Sequence, residues 1–175
     1  MVYGNRDIED ALLEFKLSLD KQGFISVAAA VCLAEHCIFP AVAAGRPDAA
    51  DEDEQSGFGR QVVEKVKGLA SSPLAGALRI PGEFPYRKPV MHGIFTPQTD
   101  DSCIMCGLCV DVCPANAISE DTPNLTDGEL CLTCMACVKV CPENSRQLTG
   151  DAFVERQKLM QDNFGNIRKQ SQFML

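Results

Sequence analysis

The chain has 175 residues, 46% hydrophobic and 23% charged, which suits one or two small globular domains and excludes a disordered tail. Its formal charge is −8, from 24 acidic against 16 basic residues, and this argues against a phosphate-backbone ligand such as nucleic acid. With no Trp and only two Tyr, it lacks the rings for a sugar- or base-stacking surface. Ten cysteines stand out, and eight of them lie between Cys103 and Cys141.

The expected elements run as follows. Val2-Tyr3 reads as the end of a strand that turns at Gly4-Asn5. Asp7 is a candidate N-cap for a helix in which Ile8, Ala11, Leu12, Phe15 and Leu19 recur at helical spacing. Gly23 is placed to stop that helix in the left-handed conformation. Residues 24–31 are mostly small and β-branched, as in a strand buried on both faces. The wider apolar stretch, residues 24–45, is long enough to span a bilayer, yet Glu35 and His36 sit at its centre. An ionisable group at that depth costs about 2.5–3.5 kcal/mol, so a strand followed by a loop is expected instead. The acidic N-terminus (Asp7, Glu9, Asp10, Glu14) is unlike a secretion signal, and a cytoplasmic chain without a membrane span is the expectation.

A loop from Glu35 to Pro47 leads to the acidic run Asp51-Glu52-Asp53-Glu54, read as the solvated start of a second helix over residues 55–69. Ser71-Ser72-Pro73 closes it. Strand, helix, strand, loop, helix implies a parallel α/β unit with a right-handed crossover. Two strands and two helices leave sheet edges and faces uncovered, so either more sheet comes from elsewhere or the unit is part of a larger domain. Residues 79–99 carry Pro81, Pro85, Pro89 and Pro97 with Arg79, Arg87 and Lys88. They read as a semi-extended connector whose last residues begin the next strand.

Cys103-x2-Cys106-x2-Cys109-x3-Cys113-Pro114 recurs as Cys131-x2-Cys134-x2-Cys137-x3-Cys141-Pro142, at an offset of 28 residues. Val110 matches Val138 and Val112 matches Val140, which makes this an internal duplication. Three thiolates within seven residues converge only if the chain wraps around one object, and a 4Fe–4S cube has four iron corners to fill. The fourth thiolate, before proline, starts a segment already leaving that loop and reaches the other cube. One cluster is therefore assigned to Cys103, Cys106, Cys109 and Cys141, and the other to Cys131, Cys134, Cys137 and Cys113. Disulfides and zinc suit this spacing poorly.

Gly107 allows the backbone to approach a cluster closely, and Met135 stands at the same position in the second copy. Ile104, Leu108, Val110, Val112, Leu132, Val138 and Val140 would pack dry between the cubes, and residues 117–119 and 125–126 would form a small hairpin joining the halves. The segment 100–150 carries −6, eight acids against two bases, so burial and amide hydrogen bonds must set a low potential, on the order of −400 mV. It holds no aromatic residue, and electrons are expected to pass from cube to cube.

On these motifs, residues 99–150 resemble a bacterial-type ferredoxin with two 4Fe–4S clusters. Val2-Tyr3-Gly4-Asn5-Arg6, Ala11-Leu12-Leu13-Glu14 and Ala34-Glu35-His36 resemble the C-terminal half of the flavodoxin-like domain in fused flavodoxin–ferredoxin proteins of anaerobes. That resemblance implies FMN at the carboxyl ends of the parallel strands, with Tyr3, Gly4, Asn5 and Arg6 lining its ring. The phosphate-binding loop of flavodoxins has no counterpart here, so this chain alone is not expected to hold FMN.

The resulting expectation is an α+β chain. Residues 1–76 form the C-terminal half of a flavodoxin-like domain, and 77–98 a Pro-rich connector. Residues 99–150 form a ferredoxin-type domain with two 4Fe–4S clusters, and 151–175 a C-terminal amphipathic helix and tail. The expected function is low-potential one-electron transfer to and from redox partner proteins. The alternative is a subunit or fragment of an FMN-dependent flavodoxin–ferredoxin oxidoreductase, its flavin site and sheet completed by a second copy or a partner chain. No catalytic residue is assigned, because no nucleophile–base constellation, dinucleotide fingerprint or nucleotide phosphate loop occurs. Cys32 and Cys37, which bracket Glu35-His36, read as buried free thiols, and His92 as connector. His36 stands between a flavin-side and a loop reading. In the tail, Phe153, Val154, Leu159, Met160 and Phe164 beside Arg156 and Lys158 predict a helix docked on a domain or partner.

Overall fold

The computed structural model describes residues 8–69, 78–86 and 95–175, and the backbone of residues 2–4. Along the chain run β1 (Val2–Gly4), α1 (Ala11–Lys21), β2 (Ala29–Leu33), α2 (Ala49–Gly68), β3 (Gln98–Thr99), α3 (Leu108–Asp111), α4 (Ala136–Lys139), β4 (Arg146–Gln147), α5 (Asp151–Phe164) and β5 (Gln172–Met174). Met1–His36, Pro40–Lys88 and Gln161–Leu175 make one compact unit, and Cys37–Phe39 with Pro89–Met160 make the other.

In the first unit, α1 ends where expected. Gly23 takes φ +83°, its N–H donates to the Asp20 carbonyl at 3.0 Å, and the Phe24 N–H returns to Leu19 at 3.1 Å. Its start differs, because the residue flanking the helix is Asp10. Asp7, with Asn5 and Arg6, lies outside the described residues.

The strand expected from Phe24 begins only at Ala29. β1 runs parallel to β2 over Val31–Leu33, and β5 runs antiparallel to it over Ala29–Val31, so among the described residues no strand pairs with residues 24–28. Phe24 and Ile25 are accordingly 63% and 75% exposed. All five residues of β2 are buried. Ala29, Val31 and Leu33 alternate onto one face, against Leu12 of α1 with Ile8, Leu78, Ile80 and Met174 around them. Ala30 and Cys32 take the other face, where Phe173, opposite Ala30 in register, packs its ring 4.8 Å from that of Phe58 in α2. Each large apolar side chain so buried contributes about 1.5–3 kcal/mol. The sheet order is β1-β2-β5, so the extra sheet that two strands demand comes from the C-terminal end of this same chain.

α2 starts six residues earlier than the acidic run suggests. Asp48 accepts from the N–H groups of Ala50 and Asp51, both at 3.1 Å, and Asp51 accepts from the Asp48 N–H at 2.9 Å, a reciprocal cap. Asp51 is therefore not a solvated helix start. It is 1% exposed and ion-paired with the buried Arg46 guanidinium. Arg46 also donates to the Lys169 carbonyl at 2.6 Å, and Arg168 donates to Asp48 at 2.7 Å, which fastens the segment before β5 to the start of α2. Ser71-Ser72-Pro73 lies outside the described residues.

The stretch 78–86, read from its prolines as a connector, is docked. Leu78 and Ile80 join the core, and the Glu83 N–H donates to Asp10 at 2.9 Å. Gly82, at φ +128°, passes so close that a Cβ there would lie 2.8 Å from the Leu13 Cβ. Residues 87–94, with Arg87, Lys88, Pro89 and His92, lie outside the described residues.

In the second unit, β3 and β4 pair antiparallel, Gln98 with Gln147 and Thr99 with Arg146. The hairpin expected from residues 117–119 and 125–126 is reduced to one bond, Asp127 N–H to the Ala117 carbonyl at 2.8 Å. The second segment is engaged elsewhere, since Thr126 Oγ1 donates to Pro97 at 2.9 Å and Thr99 Oγ1 to Asn124 at 3.0 Å. Within this unit Phe153 of α5 is buried, stacked on Phe39 at 5.9 Å and edge-on to Phe95 at 5.3 Å. Among the described residues no helix is long and apolar enough to cross a membrane.

Candidate metal centres

The 28-residue repeat is copied in the backbone. α3 and α4 are four residues each and start at Leu108 and Ala136, at the same offset. Three residues per copy take positive φ, Met105, Gly107 and Asn116 in the first and Thr133, Met135 and Asn144 in the second. Left-handed residues alternating with right-handed ones curl the chain so that successive N–H groups face one concavity, a shape that suits anions. Gly107 adopts this conformation freely, whereas for Met135, at φ +65°, it costs about 1–2 kcal/mol. The fold imposes the same turn on both copies.

Each copy encloses a cavity. Cys103, Cys106, Cys109 and Cys141 line one, with Ile104, Leu108 and Pro142 among its walls. Cys113, Cys131, Cys134 and Cys137 line the other, with Ala115, Ile118 and Leu132. In each, three cysteines come from the local loop and the fourth from the opposite copy. Among the described residues no three Cys, His, Asp or Glu side chains converge tightly enough for one metal ion. Each set of four sulfurs instead surrounds space for a larger, polynuclear group.

Donors point at the sulfurs. The Ala117 N–H donates to Cys113 Sγ at 3.2 Å and the Thr133 N–H to Cys131 Sγ at 3.4 Å. Ser145 Oγ lies 3.3 Å from Cys141 Sγ, and this hydroxyl, ahead of nearby amides, holds the Cys141 thiol below its ordinary pKa. Burial pushes the Cys137 thiol up, and the Arg146 charge opposes that shift. Arg146 itself is 1% exposed. It donates to Thr126 Oγ1 and the Pro123 carbonyl, and its Nη2 lies 3.8 Å from Cys109 Sγ. Among the described residues no carboxylate pairs with it. A buried guanidinium beside a ligand sulfur suits an anionic group in the neighbouring cavity. The cavities thus fit iron–sulfur cubes in donor set and charge.

Residues 99–119 match a family described as a 4Fe–4S binding domain, and residues 131–145 match a second family of the same description. No curated protein matches the chain. The second unit therefore contains a ferredoxin-like iron–sulfur segment, and the protein binds two 4Fe–4S clusters, cofactors of electron transfer.

The other site expectations fare differently. Tyr3 and Gly4 end β1, opposite Cys32 and Leu33, while Asn5 and Arg6 lie outside the described residues. Cys32 is buried, and burial raises its thiol pKa, so it is a core residue; Cys37 is exposed, contrary to expectation. Glu35 braces its loop by accepting from the Gly45 N–H at 2.8 Å, and the His36 N–H donates to the Val42 carbonyl at 3.1 Å. Burial lowers the His36 pKa. Sequence reasoning passed over Ser145 and Arg146. The signal was present in the repeat, because at the same offset they stand opposite Ala117 and Ile118.

Proposed function

We propose that the protein is a ferredoxin-type electron carrier. Cys103, Cys106, Cys109 and Cys141 hold one cluster, and Cys131, Cys134, Cys137 and Cys113 hold the other. When bound, each cluster supplies a one-electron redox centre. The chain's own residues ligate it and direct amides at its sulfurs. The observation that carries this reading is the division of eight cysteines into two cavities of four, each drawing its fourth thiol from the other copy. The acidic surroundings favour a low potential, on the order of −400 mV, for exchange with redox partner proteins. Anaerobic reconstitution tests the reading. It predicts about eight irons and eight acid-labile sulfides per chain and reversible bleaching by dithionite. A potential above about −100 mV, or four irons at most, contradicts it.

A second reading has one observation behind it, the parallel pair β1–β2 with β1 at the sheet edge. In that reading the first unit is half of a flavodoxin-like domain, and a second copy or a partner chain adds strands beside β1 and completes an FMN site near Tyr3 and Gly4. Stoichiometric quenching of FMN fluorescence at micromolar flavin would support it, and absence of binding leaves the electron carrier.

A further inference from the structure

The duplication allows each cavity to be compared with its counterpart in the other copy. Cys141 is followed by Glu143, Asn144, Ser145 and Arg146 where Cys113 is followed by Ala115, Asn116, Ala117 and Ile118. Asn144 and Asn116 share their left-handed backbone, at φ +52° and +51°, so the next two residues occupy matching places. Ser145 and Arg146 line the first cavity, and Ala117 and Ile118 line the second. All four are buried, between 1% and 3% exposed. The one cavity thus carries a hydroxyl on Cys141 and a guanidinium on Cys109, and the other carries a methyl and a sec-butyl group in their places.

We propose that Ser145 and Arg146 divide the two centres by function, making the centre of the Cys103, Cys106, Cys109 and Cys141 set the easier to reduce, so that an electron entering the chain comes to rest there. This rests on the cluster assignment proposed above. One-electron reduction by an external low-potential donor adds one negative charge to a centre and breaks no bond. At the first cavity that charge meets a buried cation that no carboxylate among the described residues neutralises, and a hydroxyl within 3.3 Å of a ligand sulfur. Hydrogen bonds and charge at the ligand sulfurs raise the potential of such centres. The second cavity offers its centre backbone amides, and neither Ser145 nor Arg146 is among its lining residues. Ser145 and Arg146 are positioning residues here, acting through Cys141 and Cys109.

The test is a dithionite titration of the reconstituted full chain, following the cysteine β-proton signals by paramagnetic NMR. In the unaltered protein the signals of Cys103, Cys106, Cys109 and Cys141 should respond first. Arg146→Ile, which writes in the residue of the other copy, should lower the reduction equilibrium of that centre at least tenfold, about 59 mV for one electron, and that of the other centre by less. Arg146→Lys should restore most of the difference, and Ser145→Ala should lower the same centre by a smaller factor. If Arg146→Ile fails to assemble, Arg146→Gln against Arg146→Lys makes the same comparison at constant polarity. The proposal is overturned if the Cys131 set responds first in the unaltered protein, or if both equilibria are unchanged in a variant with eight irons. Failure to bind eight irons in the unaltered chain would instead overturn the cluster assignment itself.

Discussion

At the scale of single residues, the cluster loops depend on backbone conformation as much as on cysteine. Gly107 has open space around its Cα, yet φ +79° is unfavourable for any residue with a Cβ. Gly107→Ala should therefore destabilise the loop by about 1–2 kcal/mol, seen as faster loss of the iron chromophore in denaturant. An unchanged rate would mean that the left-handed turn is not retained in solution. The glycine was legible in the sequence, and so were all eight cysteines, because ligand chemistry restricts both residue type and spacing. The left-handed Met105, Thr133 and Met135 were not, since nothing in those side chains asks for that conformation. Arg146 escaped for the opposite reason. A lone arginine in an acidic segment suggests an exposed side chain, and only the fold shows it buried among carbonyls and sulfur.

At the scale of elements, the start of α2 and the strand β5 are linked by charge. Hydrogen bonding from Arg46 holds the Asp51 carboxyl below its ordinary pKa. A depressed carboxylate contributes stability that is complete above its unfolded value, near pH 3.9, and is lost as pH falls through the lower folded value. Protection of the β2 amides against hydrogen exchange, relative to the intrinsic rate, should fall below about pH 4, and Asp51→Asn should weaken that acid-side dependence, leaving the part carried by Asp48. Asp51→Ala leaves Arg46 buried and unpaired and should cost about 3–5 kcal/mol, read from urea unfolding of the first unit. A loss below 1 kcal/mol would mean the pair is solvated. The acidic run misled because charge density suggests solvent, while the informative spacing was Asp48 and Asp51, three apart, each able to cap the other's amide. Likewise Phe24 and Ile25 have strand-like side chains but, among the described residues, no neighbouring strand, and pairing partners cannot be read from one segment alone.

At the scale of the whole molecule, the chain returns to where it began. Residues 161–175 belong to the unit built from residues 1–36 and 40–88, although the cluster-binding repeat intervenes. The sequence did reveal the lack, since two buried strands need more sheet, but not the source, because three residues at the far end carry too little pattern to announce a strand. Phe173 joins Phe58 across that closure, and Phe173→Ala should cost about 1–3 kcal/mol and raise exchange at Ala30 and Val31. Iron content should be unaffected by that substitution.

The central claim is the crossed division of thiols between two centres, and iron counting in paired variants tests it most directly. Cys103→Ser with Cys141→Ser strikes one proposed centre twice and should leave about four irons, as either substitution does alone. Cys131→Ser with Cys141→Ser strikes both and should leave almost none. The reverse pattern, four irons in the second pair and almost none in the first, would mean that each copy ligates its own cluster, and it would contradict the account.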